Sequence, residues 1–294
     1  MNRRDMLKTT GAALAGASAF PFGWTAAAEG TKPRKLLYFT RNVGYYHSVV
    51  RRKGDALSHS EKILADLGKE HGFEVVCSKD GRVFDGDIAQ YDAFAFYCNG
   101  DLTKPNKQNE PPMTPAGAQR LMAAVAGGKG FLGLHSTCNC WRTAGPAPAK
   151  GQADPFIAMM GGGFVSHGPQ QEAVMRITSP KFPGIEGLGE SFKLREEWYA
   201  MKEFAKDLHV ILVQETAGMK GGCYQRPPFP STWARLHGKG RVFFTSMAHR
   251  EDVWAGKLFQ QILLGGIAWA VGNTSAEVPP NIQQVAPKAW QLKA

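Results

Sequence analysis

The chain has 294 residues, 43% of them hydrophobic and 20% charged, a balance that allows a sizeable core in one large α/β domain or two small ones. Its formal charge is +10, but the basic residues are scattered, no run of five or more Lys/Arg occurs, and no nucleic-acid partner is expected. No apolar run reaches the roughly 20 residues needed to cross a bilayer, which argues against stable membrane insertion by a helix.

The first residues carry paired arginines, Asn2-Arg3-Arg4-Asp5-Met6-Leu7-Lys8, ahead of a modest apolar stretch from Gly11 to Phe20 and small residues at Ala26-Ala27-Ala28. This order has the form of a twin-arginine export signal over residues 1–28. It predicts passage through the twin-arginine translocase to the periplasm or cell surface. Lys35 to Thr40 is an apolar run of strand length, and Arg41 to His47 forms a loop with one glycine and two tyrosines. Ile63, Leu64 and Leu67 recur at helical spacing between Asp55 and Glu70, and Gly72 ends that helix. Phe73 to Ser78 reads as a second strand. Tyr91 to Cys98 reads as a third, nearly all apolar, as in a strand covered on both faces. Thr114 caps a helix with Pro115 at its first position, running to Gly127-Gly128. Phe131 to Leu134 then rises from Gly128-Lys129-Gly130 and stops at His135. Strands and helices in this order predict a parallel sheet flanked by helices.

The stretch from Arg142 to Gly163 is rich in Gly, Ala and Pro and holds one short apolar segment, Pro155 to Met160. Ala173 to Thr178 and His209 to Gln214 are strand-like. Trp233 to Leu236 pairs with Arg241 to Thr245 across Gly238-Lys239-Gly240. A long helix is expected from about Glu251 to Val271, closing a domain over 33–272, and residues 273–294 read as a proline-bearing tail. Of the five cysteines, Cys77 and Cys98 fit as small buried hydrophobes, and a disulfide from Cys138 or Cys140 to Cys223 is left open.

Four of the eight histidines, His47, His135, His167 and His249, each follow a strand-like run or a glycine-rich turn. In an α/β sheet such loops converge on one crevice at the carboxyl ends of the strands. Imidazoles joined by a carboxylate, for which Glu197 is the best placed, suit a divalent metal such as zinc. Taken singly, each histidine is as well explained as a hydrogen-bonded structural residue. The other four, His59, His71, His209 and His237, read as solvated. Tyr45, Tyr46, Trp141, Trp198, Tyr199 and Trp254 lie near the candidate histidines in sequence, and some of them would suit stacking on a sugar. The first strand is not followed by Gly-x-Gly-x-x-Gly, and neither a Walker loop nor a Gly-x-Ser-x-Gly elbow occurs, so no nucleotide cofactor is expected.

Gly44-Tyr45-Tyr46-His47, Gly133-Leu134-His135, Gly161 to His167, Glu196-Glu197-Trp198-Tyr199, Trp233 to Phe243 and Ala248-His249 with downstream Trp254 together resemble the ThuA-like (trehalose utilisation) family. The family's usual Gly-His is Ala248-His249 here, and its Asp-Glu is Glu196-Glu197. The resemblance implies a flavodoxin-like, class I glutamine amidotransferase-like three-layer α/β fold with a mostly parallel central sheet. In those amidotransferases a cysteine stands at the turn after the central strand. Here His135 stands there, and an imidazole does not replace a thiolate nucleophile, so glutaminase chemistry is not expected. The family is linked to disaccharide catabolism alongside enzymes that make 3-keto sugars. On that basis the expected protein is a metal-assisted lyase, isomerase or hydrolase acting on a small carbohydrate. His47, His135, His249 and His167 (or Glu197) would be its ligands, His135, Glu197 and His249 its catalytic groups, and Tyr46, Trp141, Trp198 and Tyr199 its sugar-binding surface. The alternative is a non-catalytic carbohydrate-binding protein. Oligomeric state, homo-oligomer included, is open.

Overall fold

The computed structural model describes residues 32–141 and 154–293. The expected export segment and the greater part of the Gly/Ala/Pro-rich stretch therefore lie outside the described residues. In chain order the strands and helices are β1 (Lys35–Phe39), α1 (His59–His71), β2 (Glu74–Ser78), β3 (Ala93–Phe96), α2 (Pro115–Ala126), β4 (Gly130–Leu134), α3 (Pro155–Met160), β5 (Gly163–His167), β6 (Gln171–Ile177), β7 (Ser191–Glu196), β8 (Tyr199–Lys202), β9 (His209–Gln214), β10 (Phe229–His237), β11 (Gly240–Thr245), α4 (Glu251–Ala255), α5 (Lys257–Ala270) and α6 (Ile282–Val285).

Local chemistry explains the helix ends. Ser58 and Glu61 form a reciprocal capping box at the start of α1, and Gly72 ends it in the left-handed conformation at φ 73°. Thr114 accepts the Gly117 N–H at the start of α2, with Pro115 next to it. The single helix expected from 251 to 271 is two, because Gly256 adopts an extended backbone between α4 and α5 and there serves as the cap of α5. Glycine leaves the helical conformation at little steric cost.

Nine strands form one sheet in the order β2-β1-β3-β4-β11-β10-β9-β6-β7. β2, β1, β3, β4 and β11 pair in parallel, and the remaining pairings are antiparallel. β9 and β7 consequently point the same way as the parallel five, so seven of the nine strands share one direction. The expectation of a mostly parallel α/β sheet holds. β1, β3 and β4 are buried almost throughout, as continuously apolar strands between two helical layers must be. α5 packs on β4 and β11, where a side chain on Gly266 would strike the Phe243 ring. A second, two-stranded sheet pairs β5 with β8.

Residues beyond the expected domain end are packed rather than free. Asn281 exchanges hydrogen bonds with Val210 and Leu208 on β9 and its approach, Ile282 and Ala289 are buried, and Trp290 donates to the Phe204 carbonyl. His209, expected on the surface, is buried. Its ring nitrogens meet Ser179 Oγ, in the loop after β6, at 2.7 Å and the Pro279 carbonyl, from that same tail, at 2.8 Å. None of the five cysteines is in a disulfide, and burial raises Cys77 to about 12. No helix among the described residues is long and apolar enough to cross a membrane.

A polar knot lies beneath β1 and β2. The Glu61 carboxyl, wholly buried, accepts from Arg52 at 2.7 and 3.0 Å, from Thr40 at 2.7 Å and from the Ser58 N–H at 2.9 Å. Burial alone would raise its pKa, but the Arg52 and Ser58 hydrogen bonds outweigh that and hold it below the ordinary carboxylate range. A depressed carboxylate contributes stability above its unfolded pKa, near 4.3, and loses it as pH falls toward the lower folded value. Glu61→Gln should therefore cost about 3 kcal/mol at pH 7 by leaving Arg52 underpaired. Urea unfolding of both proteins should show that gap narrowing below about pH 4.5. A gap that is constant with pH would contradict the ionic origin.

Candidate metal centre

Because β1, β4, β7 and β11 point the same way, the loops leaving their carboxyl ends meet at one edge of the sheet. His47 comes from the loop after β1, His135 from the first position after β4, Glu197 from the residue after β7 and His249 from the loop after β11. Each offers one ligand atom such that all four lie within 4.8 Å of one another. His135 turns sharply out of β4 at φ 43°, and Ala248 precedes His249 at φ 98°. Both are non-glycine residues in the left-handed region, where strain persists only if the surroundings enforce it.

The distances have a recognisable scale. His249 Nδ1 lies 3.0 Å from Glu197 Oε2 and 3.2 Å from His135 Nε2, and the last two atoms are 3.5 Å apart. Donors bonded at 2.0–2.1 Å to a tetrahedral zinc ion would be spaced about 3.3 Å apart. The three imidazole rings stand 5.1 Å from one another, centre to centre, at interplanar angles of 72° to 87°.

Proton bookkeeping sharpens this. His135 Nδ1 is 2.8 Å from the Ser246 carbonyl. A carbonyl only accepts, so the neutral ring carries its hydrogen on Nδ1 and turns the Nε2 lone pair toward His249 and Glu197. This is the arrangement by which a backbone carbonyl orients a metal-ligating histidine. His47, also buried, has no hydrogen-bond partner at either ring nitrogen. Burial and the neighbouring His135 and His249 lower His47 to about 2, and burial likewise lowers His135, so both are neutral at pH 7. Glu197 is disfavoured as an anion by burial, and a proton on the facing nitrogen of His135 or His249 is what would hold it well below the carboxylate range. Glu196, wholly buried, is pushed up to about 7 by burial against three backbone N–H hydrogen bonds.

Above the four donors opens a cleft of about 450 Å³ walled by Tyr45, Phe164 and Tyr199, with Asn99, Asn139 and His167 at its sides. Tyr199 lies 4.1 Å from the His135 ring and 4.4 Å from Phe164, and Tyr45 meets His47 edge-on at 4.7 Å. A larger surface hollow of about 650 Å³ sits at the opposite edge of the sheet, among Arg34, Lys129 and Arg241. Those cations are engaged by Asp92, the Ala89 carbonyl and the end of α5, and among the described residues no cluster of three or more His, Cys, Asp or Glu side chains lies there.

Of the residues singled out from the sequence, His47, His135, Glu197 and His249 come together, and Tyr199 joins them in the cleft wall. His167 reaches the mouth, with Nδ1 3.4 Å from Glu197 Oε1, but lies outside the four-donor group; Glu197 takes the fourth place. Three of the four expected sugar-binding aromatics face elsewhere. Tyr46 is held under Lys79 and Arg51. Trp141 packs edge-on against Phe156. Trp198 is buried and donates to the Gln171 carbonyl. Successive residues alternate across the link between β7 and β8: Glu197 and Tyr199 line the cleft, while Glu196 and Trp198 are buried away from it. Phe164 and Asn99 line the cleft without having been singled out from the sequence, whereas Tyr45 was named there among the aromatics near the candidate histidines. Strict alternation would put Phe164 and His167, three residues apart, on opposite faces, and the bulge in β5 between Phe164 and Ser166 brings both to the cleft.

Fold and site define an α/β protein with a histidine-rich centre at the carboxyl edge of a flavodoxin-like sheet. The chain belongs to the ThuA family, described as trehalose utilisation, whose family model matches residues 35–270. Among solved structures, a ThuA-like protein from Parabacteroides merdae superposes with a TM-score of 0.58 at 19% identity, covering 85% of this chain and 94% of that one. One from Bacteroides uniformis gives 0.59 at 17% identity, covering 84% and 95%. A cytoplasmic protein from Salmonella typhimurium gives 0.51 at 10% identity, covering 80% and 98%. At these identities the likeness is one of fold. A comparison with curated proteins gives no match.

A pH test follows from the two neutral imidazoles. An unfolded histidine takes up a proton near pH 6.5, while folded His47 does not until about pH 2. Acidification below 6.5 therefore favours the unfolded chain by up to about 1.4 kcal/mol per pH unit for each such histidine. In chelator-treated protein, urea midpoints should fall between pH 6.5 and 5, and His47→Leu should flatten that slope. An equal slope in the variant would mean that His47 is protonated in the fold.

Proposed function

We propose that this protein is an exported, metal-dependent enzyme of carbohydrate metabolism that acts on disaccharides or glycosides, 3-keto sugars among them, by isomerisation, elimination or hydrolysis. The observation that carries this reading is the inward-facing set of His47, His135, Glu197 and His249 at the floor of an aromatic-walled cleft.

The donor set fits a divalent ion of the zinc class. Three imidazoles and one carboxylate match the preferences of zinc, iron, manganese or nickel. The buried His47 ring lacks a protein partner that such an ion would replace, and His135 is already oriented from behind by the Ser246 carbonyl. When bound, the ion would supply Lewis acidity to a substrate carbonyl or hydroxyl oxygen.

The remaining roles belong to the chain's own side chains. Tyr199, Phe164 and Tyr45 offer apolar ring faces to the C–H face of a pyranose. A 3-keto group acidifies the adjacent C–H, and the groups at hand to accept that proton are the outer oxygen of Glu197 and His167 beside it at 3.4 Å. Cys138 does not act as an amidotransferase-type nucleophile here: its Sγ donates to the His135 carbonyl and is fully buried. Export is supported by Arg3-Arg4 and the apolar stretch that follows.

Elemental analysis of protein purified without a nickel column should find close to one divalent ion per chain. His135→Ala should lose it while keeping the far-ultraviolet circular dichroism of the wild type. Turnover of a panel of 3-keto and ordinary disaccharides should be chelator-sensitive. Absence of metal together with an unchanged Tm in chelator would sink the metal-dependent reading, and saturable sugar binding without turnover would replace it with a binding protein.

A further inference from the structure

We infer that Glu196 is a positioning residue: its buried carboxyl latches the strand that carries Glu197 onto the loop that carries His249, and so sets the spacing of the ligand group. This inference rests on the metal-centre reading above.

The need for a latch comes from topology. β7 is the edge strand of the sheet, four places from β11, and pairs only with β6. Nothing in the sheet's own ladder requires the end of β7 to meet the end of β11. Yet Glu197 Oε2 stands 3.0 Å from His249 Nδ1. The contact that joins the two segments is made by the preceding residue. Glu196 Oε1 accepts the Glu197 N–H at 2.8 Å, while Oε2 accepts the Ala248 and His249 N–H groups at 2.9 and 3.0 Å. One carboxyl thus fixes the backbone of both ligands without touching either side chain.

Two further observations separate this from ordinary core packing. The Glu196 carboxyl is wholly buried, and no Lys or Arg pairs with it among the described residues. An apolar side chain would fill the same space at lower desolvation cost, so what the carboxyl contributes is its two-headed acceptance. Ala248 sits at φ 98°, a conformation that L side chains rarely adopt. Its N–H is held by Glu196 and its carbonyl by the Trp254 indole at 2.8 Å. The peptide that delivers His249 is clamped on both sides into a strained turn.

The test compares wild type, Glu196→Gln, Glu196→Asp and Glu196→Gln with Ala248→Gly for zinc affinity, measured by competition with a chromogenic chelator. Gln replaces one acceptor oxygen with an amide that cannot accept, and Asp keeps the carboxyl but is one methylene too short to bridge both segments. Each single variant should bind zinc about 10- to 100-fold more weakly, the range for loss of a group that orients metal ligands, with the absorption bands of the cobalt(II)-substituted protein altered. Ala248→Gly, which relieves the strained φ, should recover part of the affinity of Glu196→Gln. A merely structural glutamate would lower Tm in chelator but leave zinc affinity and the cobalt spectrum unchanged. Wild-type affinity in whichever of Glu196→Gln and Glu196→Asp folds overturns the inference. Failure of the wild type itself to bind zinc overturns the metal-centre reading and this inference with it.

Discussion

The lone pairs of His135 Nε2 and Glu197 Oε2 face each other across 3.5 Å, with His249 Nδ1 between 3.0 and 3.2 Å from both and a partnerless His47 beside them. One hydrogen on His249 Nδ1 is shared between two acceptors, and burial disfavours bringing a further proton in on His47 or His135. Buried acceptors without donors cost free energy, about 1–3 kcal/mol each. They are tolerated where the rest of the fold over-determines them, and such places are where function concentrates. A cation resolves the conflict in one step.

The fold sustains that conflict by drawing the donors from separate strands. Seven co-directed strands put their carboxyl ends, and so the departing loops, at a single edge. The buried parallel half supplies His47, His135 and His249 on a rigid base, and the antiparallel half supplies Glu197 from its far edge strand. The two halves are tied above the sheet by the Glu196 carboxyl and by Tyr199, whose ring lies tilted against His135. The same chain reversal that brings Glu197 over the centre also delivers Tyr199 and, through the β5–β8 pair, Phe164 and His167 as a wall.

His135 occupies the turn directly after β4, at φ 43°. Tied through Nδ1 to the Ser246 carbonyl, it can only offer Nε2 forward, as a ligand or an acceptor. Cys138, one short helical turn further on, is turned back onto that strand end and buried, which removes the thiol from the cleft.

The sequence by itself determined the α/β class, the caps of α1 and α2, and the positions of the four histidines after strands or glycine turns, because capping, apolar runs and turn chemistry are local. Placing Glu197 rather than His167 in the donor group needed the tertiary structure, since the choice turns on which side of an edge strand folds over the centre. The same holds for the aromatic wall. Trp198 and Tyr199 are neighbours in sequence but face opposite ways, and the bulge in β5 decides what Phe164 meets. Glu196 was legible only as half of a Glu-Glu pair. Its three backbone partners lie on its own strand end and on a loop some fifty residues away, and long-range hydrogen bonds to backbone leave no periodic or spacing signal in a chain. Sequence specified the donors, and only the tertiary structure decided which of them share a point.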